Sequence, residues 1–359
     1  MGIASSNKEI KEANKVVDMN IVDFDNEIYF KISNHDAMRP FLMSIVSQSN
    51  HWMFISSNGG LTAGRKNAEN ALFPYYTDDK LTELADFTGS KSIFQIHFNN
   101  EIFVWEPFSE RFSDRYQISR NIYKNTVGNK LIFEEVNHDF GLVFRYQWNT
   151  SNQFGFVKKS KLINHSYNNY LIGVLDGIQN IMPFGVGSYL QANTSNLVDA
   201  YKRNELHKQS GLGMFSLSAI IVDKAEPSEA LKANIAWSFG LENPKHLLSS
   251  IQLNRFRQKQ EIGEEYDVKG EKGAYFITAD IALDPNTDKQ WTIIADVNQN
   301  HAQIVSLCHT LITNKAAVSK QIQEDIDAGT KKLIELVASA DGLQFTADQA
   351  YNSRHFSNV

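Results

Sequence analysis

A mainly β protein, built as a large antiparallel sandwich and followed by a helical segment, is what this chain predicts, and three observations carry the prediction. Between about residues 26 and 297, apolar and polar residues alternate with a period of two in more than ten runs. Strands that bury one face of an antiparallel sheet read this way. Clusters of Asn, Gly, Asp and Ser separate many of the runs and supply turns. After residue 300 the apolar period lengthens to that of an amphipathic helix.

Taken in order, residues 1–25 read as a polar lead-in, 26–299 as the sandwich domain, and 300–359 as a helical linker. The clearest strand pair lies near the middle of the sandwich. Leu131, Phe133 and Glu135 alternate with Ile132, Glu134 and Val136. After a turn at 137–141, Leu142, Phe144, Tyr146 and Trp148 alternate with Val143, Arg145 and Gln147. One face is apolar and the other polar, as a half-solvated strand requires. Further runs lie at 41–57, 92–105, 116–124, 154–163, 170–182, 214–223, 233–239, 274–283 and 291–297. Inside one of them, Asp176–Gly177 reads as a turn at a strand end. The mixed-sign stretch 196–205 reads as solvated surface or interface.

In the C-terminal segment Val318, Ile322, Ile326, Leu333, Leu336 and Val337 recur at helical spacing, and Asp341–Gly342 ends the pattern. Such a stripe is expected to dock on the sandwich or on a second copy of the chain. A further helix is expected from Thr346, which caps Ala347–Gln349. It is read as the start of another domain, so Tyr351 and Phe356 are expected to find few partners within the monomer.

Composition narrows the function classes. A net charge of −6 supplies no broad positive field for nucleic-acid phosphates. The single cysteine, Cys308, excludes an intrachain disulfide and a thiolate metal cluster. No run of 18 uncharged apolar residues occurs, so no membrane helix is expected. The opening residues lack the apolar core of a signal peptide, and a cytoplasmic location is the expectation. Aromatic residues reach 11%, which fits pleated surfaces and sugar-stacking sites equally well.

The densest polar constellation runs from Ser56 to Asp79. Its glycines Gly59, Gly60 and Gly64 preclude a regular strand and allow close backbone approach. Arg65, Asn67, Glu69, Asn70, Asp78 and Asp79 offer donors and acceptors suited to vicinal hydroxyls, and Tyr75 and Tyr76 offer rings for a pyranose face. A long structural loop held by its own hydrogen bonds is the alternative. The stretch lacks the Lys-Ser/Thr ending of a nucleotide-binding P-loop. The histidines show no metal-ligand spacing, and His97, His138 and His165 are the strand-region candidates for a base. Glu134 and Glu135, as strand neighbours, point to opposite faces and cannot form a facing acid/base pair. No complete catalytic set, cofactor or metal is expected.

The stretch Ser57–Gly60 through Asn67–Asp79 resembles the N-terminal domain of cellobiose and chitobiose phosphorylases and cyclic β-glucan synthases, glycoside hydrolase family 94, formerly glycosyltransferase family 36. That family carries Asn-Ser-Arg-Glu-Asn-x-Leu-x-Pro-Trp-x-Asn-Asp there. Asn67, Glu69, Asn70, Leu72, Pro74 and Asp79 match. Ala68 stands alone for Ser-Arg, and Tyr75 stands where Trp is usual. Tyr275–Leu283, Asp284-Pro285-Asn286 and Trp291–Val297 look like the family's last strand pair and linker. The resemblance implies a galactose-mutarotase-like supersandwich that supports dimerisation. It also implies a helical linker to an (α/α)6 barrel holding the catalytic carboxylate. The implied role of this chain is a non-catalytic, carbohydrate-associated scaffold. The parent reaction would be phosphorolysis or hydrolysis of a β-glycosidic bond, with carbohydrate and inorganic phosphate as partners. A mutarotase-like aldose epimerase and a free-standing glycan-binding protein are the competing readings.

Overall fold

The computed structural model describes residues 15–112, 114–219, 232–340, 342 and 354–357. In chain order the first strands are β1 (Asp18–Phe24), β2 (Glu27–Ser33), β3 (Leu42–Ser44), β4 (His51–Ser56), β5 (Leu61–Arg65) and β6 (Ala71–Phe73). A short α1 (Asp78–Glu83) leads to β7 (Gly89–Phe98) and β8 (Glu101–Trp105). Then come β9 (Ile118–Asn125), β10 (Leu131–Asn137), β11 (Leu142–Ser151), β12 (Gly155–Asn164) and β13 (Tyr170–Ile181). Helix α2 (Ser188–Tyr201) precedes β14 (Lys202–His207), β15 (Leu212–Leu217), β16 (Lys232–Phe239) and β17 (Lys245–Leu247). The chain continues through α3 (Leu253–Arg257), β18 (Asp267–Lys269), β19 (Gly273–Leu283) and β20 (Asp288–Asn300), and then α4 (His301–Thr313) and α5 (Lys315–Ala338).

An 11-stranded sheet, ordered β1-β2-β9-β10-β11-β12-β20-β16-β15-β14-β18, faces a 5-stranded sheet, β17-β19-β13-β7-β8, and a 4-stranded sheet, β3-β4-β5-β6. Every described pairing is antiparallel, which is the predicted fold class. The main core joins these layers. The apolar face read from β11 (Leu142, Phe144, Tyr146 and Trp148) is wholly buried there beside Phe73, Phe94 and Trp291. The opposite face is less solvated than the alternation predicts, because Ile132 packs with Tyr29 and Tyr123 on neighbouring strands.

Helices α4 and α5 form a further layer on the large sheet. Ile304, Cys308, Leu311, Val318, Ile322 and Ile326 pack against Val157, Ile235, Trp237 and Ile294. A capping box at Asn300 and Gln303 starts α4. The predicted stripe docks on the sandwich as far as Leu333, with Thr330 completing the buried row, whereas Leu336 is exposed. No helix among the described residues is long and apolar enough to cross a membrane.

Several expectations need correction. Strand β1 forms inside the stretch read as a lead-in, because its pairing with β2 supplies backbone partners that a polar composition does not advertise. Residues 196–205 divide between α2 and β14 and are mostly exposed or half-buried as read, but Val198, Lys202 and Asn204 are buried. Asp176–Gly177 is no turn. Strand β13 continues through it to Ile181, and a β-carbon at Gly177 would lie 2.3 Å from the Phe276 ring. Glycine is there for packing. The expected cap at Thr346, and Tyr351, lie outside the described residues. Phe356 is fully buried in the main core rather than poorly packed. The buried amine of Lys124 donates to the carbonyls of His355 (2.9 Å) and Phe356 (3.1 Å), and His355 Nε2 lies 2.8 Å from the Asn125 carbonyl. The C-terminal residues 354–357 are therefore part of this sandwich.

Candidate functional site

The glycines do not preclude a strand. The predicted polar loop holds β5, which runs through Gly64 between β4 and β6, together with the edge strand β6 and the turns around them. Gly64 is required because a β-carbon there would lie 2.5 Å from the Asn70 carbonyl and the Trp52 ring. Arg65 ends β5, and its guanidinium is drawn inward. Nε donates to His51 Nε2 at 2.9 Å, Nη2 donates to the carbonyl of Asn152 at 2.5 Å, and Nη1 lies 3.5 Å from Asp296 Oδ2. The Arg65 bond makes His51 Nε2 an acceptor. Its Nδ1–H therefore donates to Ser49 Oγ at 2.7 Å. Burial and the adjacent Arg65 push the His51 imidazole down to about 3, so it stays neutral.

Asn70 meets the same strand end, where Asn298 Nδ2 donates to Asn70 Oδ1. Asn70 Nδ2 in turn donates to Asn67 Oδ1 at 2.6 Å. The Asn67 carbonyl accepts the Trp52 indole N–H at 3.1 Å, and Trp52 packs edge-on against the half-exposed Tyr75 ring, 5.6 Å between centroids. Arg65, Asn67, Asn70 and Tyr75 thus form one seam, from the end of β20 to the exposed rings. The others turn elsewhere. Glu69 accepts Ser188 Oγ at 2.5 Å and Ser188 N at 3.2 Å, tying down the start of α2, where a β-carbon on Gly187 would collide with its carboxylate. Asp78 and Asp79 open α1, and Asp79 accepts Thr77 Oγ1 at 2.5 Å. This bond is the main reason its carboxyl lies below its usual range.

The seam leads to a residue that sequence reading passed over. Asp296, near the end of β20, is 4% exposed. Its Oδ1 accepts the backbone N–H of Val297 at 2.9 Å, and its Oδ2 accepts Gln299 Nε2 at 3.0 Å. Burial pushes its carboxyl up to about 6, against the opposing pull of Arg65. Asp296 lines a cleft of about 470 Å³ between the large sheet and α4–α5. Phe154, Ile235 and Trp237 supply an apolar wall, while Gln153, Gln299, Gln303 and Gln321 supply amides. Asp296 is the only titratable side chain among the residues lining it. Its contact with Arg65 spans 231 positions, and no local pattern announces such a contact.

The remaining candidates do not converge. His97 lies in β7, His138 in the turn after β10, where its Nε2 is 2.8 Å from Ser119 Oγ, and His165 beyond β12. No hydrogen bond joins any two of them among the described residues. Glu134 and Glu135 do point to opposite faces. Glu134 accepts from Asn121, Tyr123 and Arg145, whereas Glu135 accepts from Trp105, Arg120 and the Phe108 backbone. No group of three or more His, Cys, Asp or Glu among the described residues is placed to hold a metal.

No protein-family model matches the chain, and no curated protein matches it. Among solved structures it is similar to a bacterial glucoamylase complexed with acarbose, at 11% identity and a TM-score of 0.38, over 88% of this chain and 40% of that one. It is also similar to a protein described as a kojibiose phosphorylase from human microbiome, at 9% identity and a TM-score of 0.38, over 67% of this chain and 27% of that one. A protein described as an aldose 1-epimerase from Klebsiella pneumoniae matches at 8% identity and a TM-score of 0.36, over 87% and 93% of the two chains. The chain therefore spans well under half of the glucoamylase and of the phosphorylase to which it is similar.

Proposed function

We propose that this chain is a non-catalytic, carbohydrate-associated scaffold domain of a glycoside phosphorylase or hydrolase whose catalytic barrel is a separate domain, with α4, α5 and residues 354–357 belonging to the scaffold itself. The Asp296 cleft carries the reading. An apolar wall with convergent amides suits a sugar, whose ring faces are apolar and whose edges carry hydroxyls. One carboxyl group can accept or donate hydrogen bonds, whereas hydrolysis in most glycosidases uses a pair of carboxyl groups flanking the bond. Only Asp296 is available among the lining residues. Asn67, Glu69, Asn70, Leu72, Pro74 and Asp79, which match the family 94 pattern, support the parent's class. Along the neighbouring seam, Arg65, Asn67, Asn70 and Tyr75 are the sugar-contact residues of this reading, with Glu69, Asp78 and Asp79 at its margin.

Titration of the ¹⁵N-labelled protein with neutral gluco-oligosaccharides tests it. Shifts at Gln153, Phe154, Gln299 and their neighbours, extending along the seam to Tyr75 and lost in Asp296→Ala, are expected. Polarimetry of freshly dissolved glucose is expected to show no acceleration of anomer exchange. Acceleration abolished by His138→Ala would replace the scaffold with an epimerase. Absence of binding by any neutral sugar would remove the cleft from the proposal.

A further inference from the structure

A second cavity lies on the large sheet away from Asp296. It is a groove of about 350 Å³ between the β1–β2 turn, the middle strands of the sheet and α5. Its chemistry differs from that of the first. Arg145, Lys159 and Lys161 line it, and Asp25 on the rim is the only acidic side chain among its lining residues.

Two features of this trio are unfavourable in an empty protein. Arg145 and Lys161 are direct cross-strand partners in the β11–β12 ladder, and like charges directly opposite each other destabilise a sheet. Lys159 stands two residues before Lys161 on the same face, and its half-buried amine donates to the amide oxygen of Gln323 on α5 rather than to a carboxylate. Burial, helped by the nearby Lys130 and only partly opposed by Asp327, pulls its pKa below the usual lysine value. Neutralisation from the flanks is partial. Arg145 Nε donates to Glu134 at 2.5 Å, which leaves both Nη groups without a hydrogen-bond acceptor among the described residues, and Lys161 lies 3.4 Å from Asp288. An anion in the groove would sit between all three cations and relieve both costs.

The groove is also more than a charge. Phe24 lies under the Arg145 guanidinium, 4.8 Å from it, and Phe239 lies on another wall. Gln147, Gln290 and Gln323 add amides. Aromatic edges, amides and a cationic floor only partly neutralised from its flanks together match a ring that carries hydroxyls and one acidic group. We infer that this groove binds an acidic sugar, its charge a carboxylate or a phosphate ester, at a site separate from the Asp296 cleft.

Calorimetric titration of the full chain at low salt, with glucuronate, glucose 6-phosphate, glucose and inorganic phosphate, tests the inference. At least one acidic sugar is expected to bind 10-fold or more tighter than glucose, and the better of the two identifies the acidic group. Lys159→Gln and Arg145→Gln are each expected to weaken that binding about 10-fold, while Asp296→Asn leaves it unchanged. Thermal melts control for folding, and Lys159→Gln is expected to melt no lower than the parent. Equal binding of glucose, equal binding of inorganic phosphate alone, no binding of either acidic sugar, or binding lost only in Asp296→Asn would each overturn it. The last outcome would move the acidic sugar to the other cleft, and failure here leaves the neutral-sugar test of that cleft standing.

Discussion

Asp176 and Asp296 are both buried aspartates beside a cation, yet they sit in different circumstances. Asp176 is at the centre of the sandwich, where Ser92 (2.6 Å), Lys158 (2.6 Å), Ser160 (2.9 Å) and the Trp291 indole (2.6 Å) all donate to it. These donors come from β7, β12 and β20, so one carboxylate joins the two facing sheets. Asp296 has a backbone N–H, one amide and a distant guanidinium, and it lines an open cleft. A carboxylate surrounded by donors holds layers together. One with fewer donors at a cleft keeps the capacity to change protonation or partner.

The largest effect is expected at the first of these. Lys158 is fully buried, and burial holds its amine below the usual lysine range while Asp176 pulls the other way. Lys158→Met leaves Asp176 charged and without its cation, a change expected to cost about 3–5 kcal/mol. Adding Asp176→Leu to it should recover part of that loss. Urea denaturation of the two single variants and the double one measures the coupling. A Lys158→Met cost under about 1 kcal/mol would erase the contrast between the two aspartates.

Next in size is the C-terminal closure. Removing residues 343–359 exposes the cavity filled by Phe356 and strips Lys124 of two carbonyl acceptors. A buried aromatic lost to a cavity costs about 3–5 kcal/mol. The deletion is therefore expected to lower stability about as much as Ile322→Asp, which places an unpaired charge on the buried helix stripe. A deletion that melts like the parent would show residues 354–357 to be dispensable to the sandwich.

These two sites also mark how far the sequence was legible. Alternation located most strands, since each half-buried strand repeats its pattern locally, and the 3.6-residue stripe located α5 as far as Leu333. Asp176 defeated the reading because Asp-Gly has strong turn propensity. Four donors distant in sequence override it, which is a tertiary effect. Phe356 was misassigned for a related reason. Its core cluster includes Phe30 from the other end of the chain, and Phe30 stands 4.8 Å from the ring of the adjacent His355. Of the candidate site, the loop residues were legible as a cluster of polar types. Their division between the β20 seam, α2 and α1 was not, because it depends on which distant backbone each side chain meets.

A pH-dependent effect separates Asp296 further. Its carboxyl is pushed up to about 6 in the folded chain, above its ordinary 3.8. The native state therefore binds a proton more readily than the unfolded chain does. The stabilising contribution is full below about 4 and is lost as pH rises through about 6. A shift of this size corresponds to about 2–3 kcal/mol. Asp296→Asn is expected to raise stability by up to about 2 kcal/mol at pH 8 and to change little at pH 4. Urea midpoints at the two pH values provide the check, and an unchanged difference between them would mean that Arg65 compensates Asp296 fully.

The smallest expected effect on stability is at Tyr75, and it is the one that separates structure from binding most cleanly. Its ring is half exposed and makes an edge contact with Trp52. An isolated aromatic pair of this kind contributes about 0.5–1.5 kcal/mol, with the low end fitting an exposed position. Tyr75→Ala is therefore expected to cost less than about 1 kcal/mol in urea denaturation. If the seam from Asn67 to Tyr75 presents a ring to sugar, the same substitution should weaken neutral-oligosaccharide binding about 10-fold, because a stacking face is lost while the fold is kept. Tyr75→Trp should keep binding, since the indole offers a larger stacking face. Loss of stability without loss of binding would make the Trp52–Tyr75 pair a strut of the sheet edge. Unchanged values for both would place the sugar wholly in the Asp296 cleft, leaving the seam as the path by which Arg65 and Asn70 fix the end of β20.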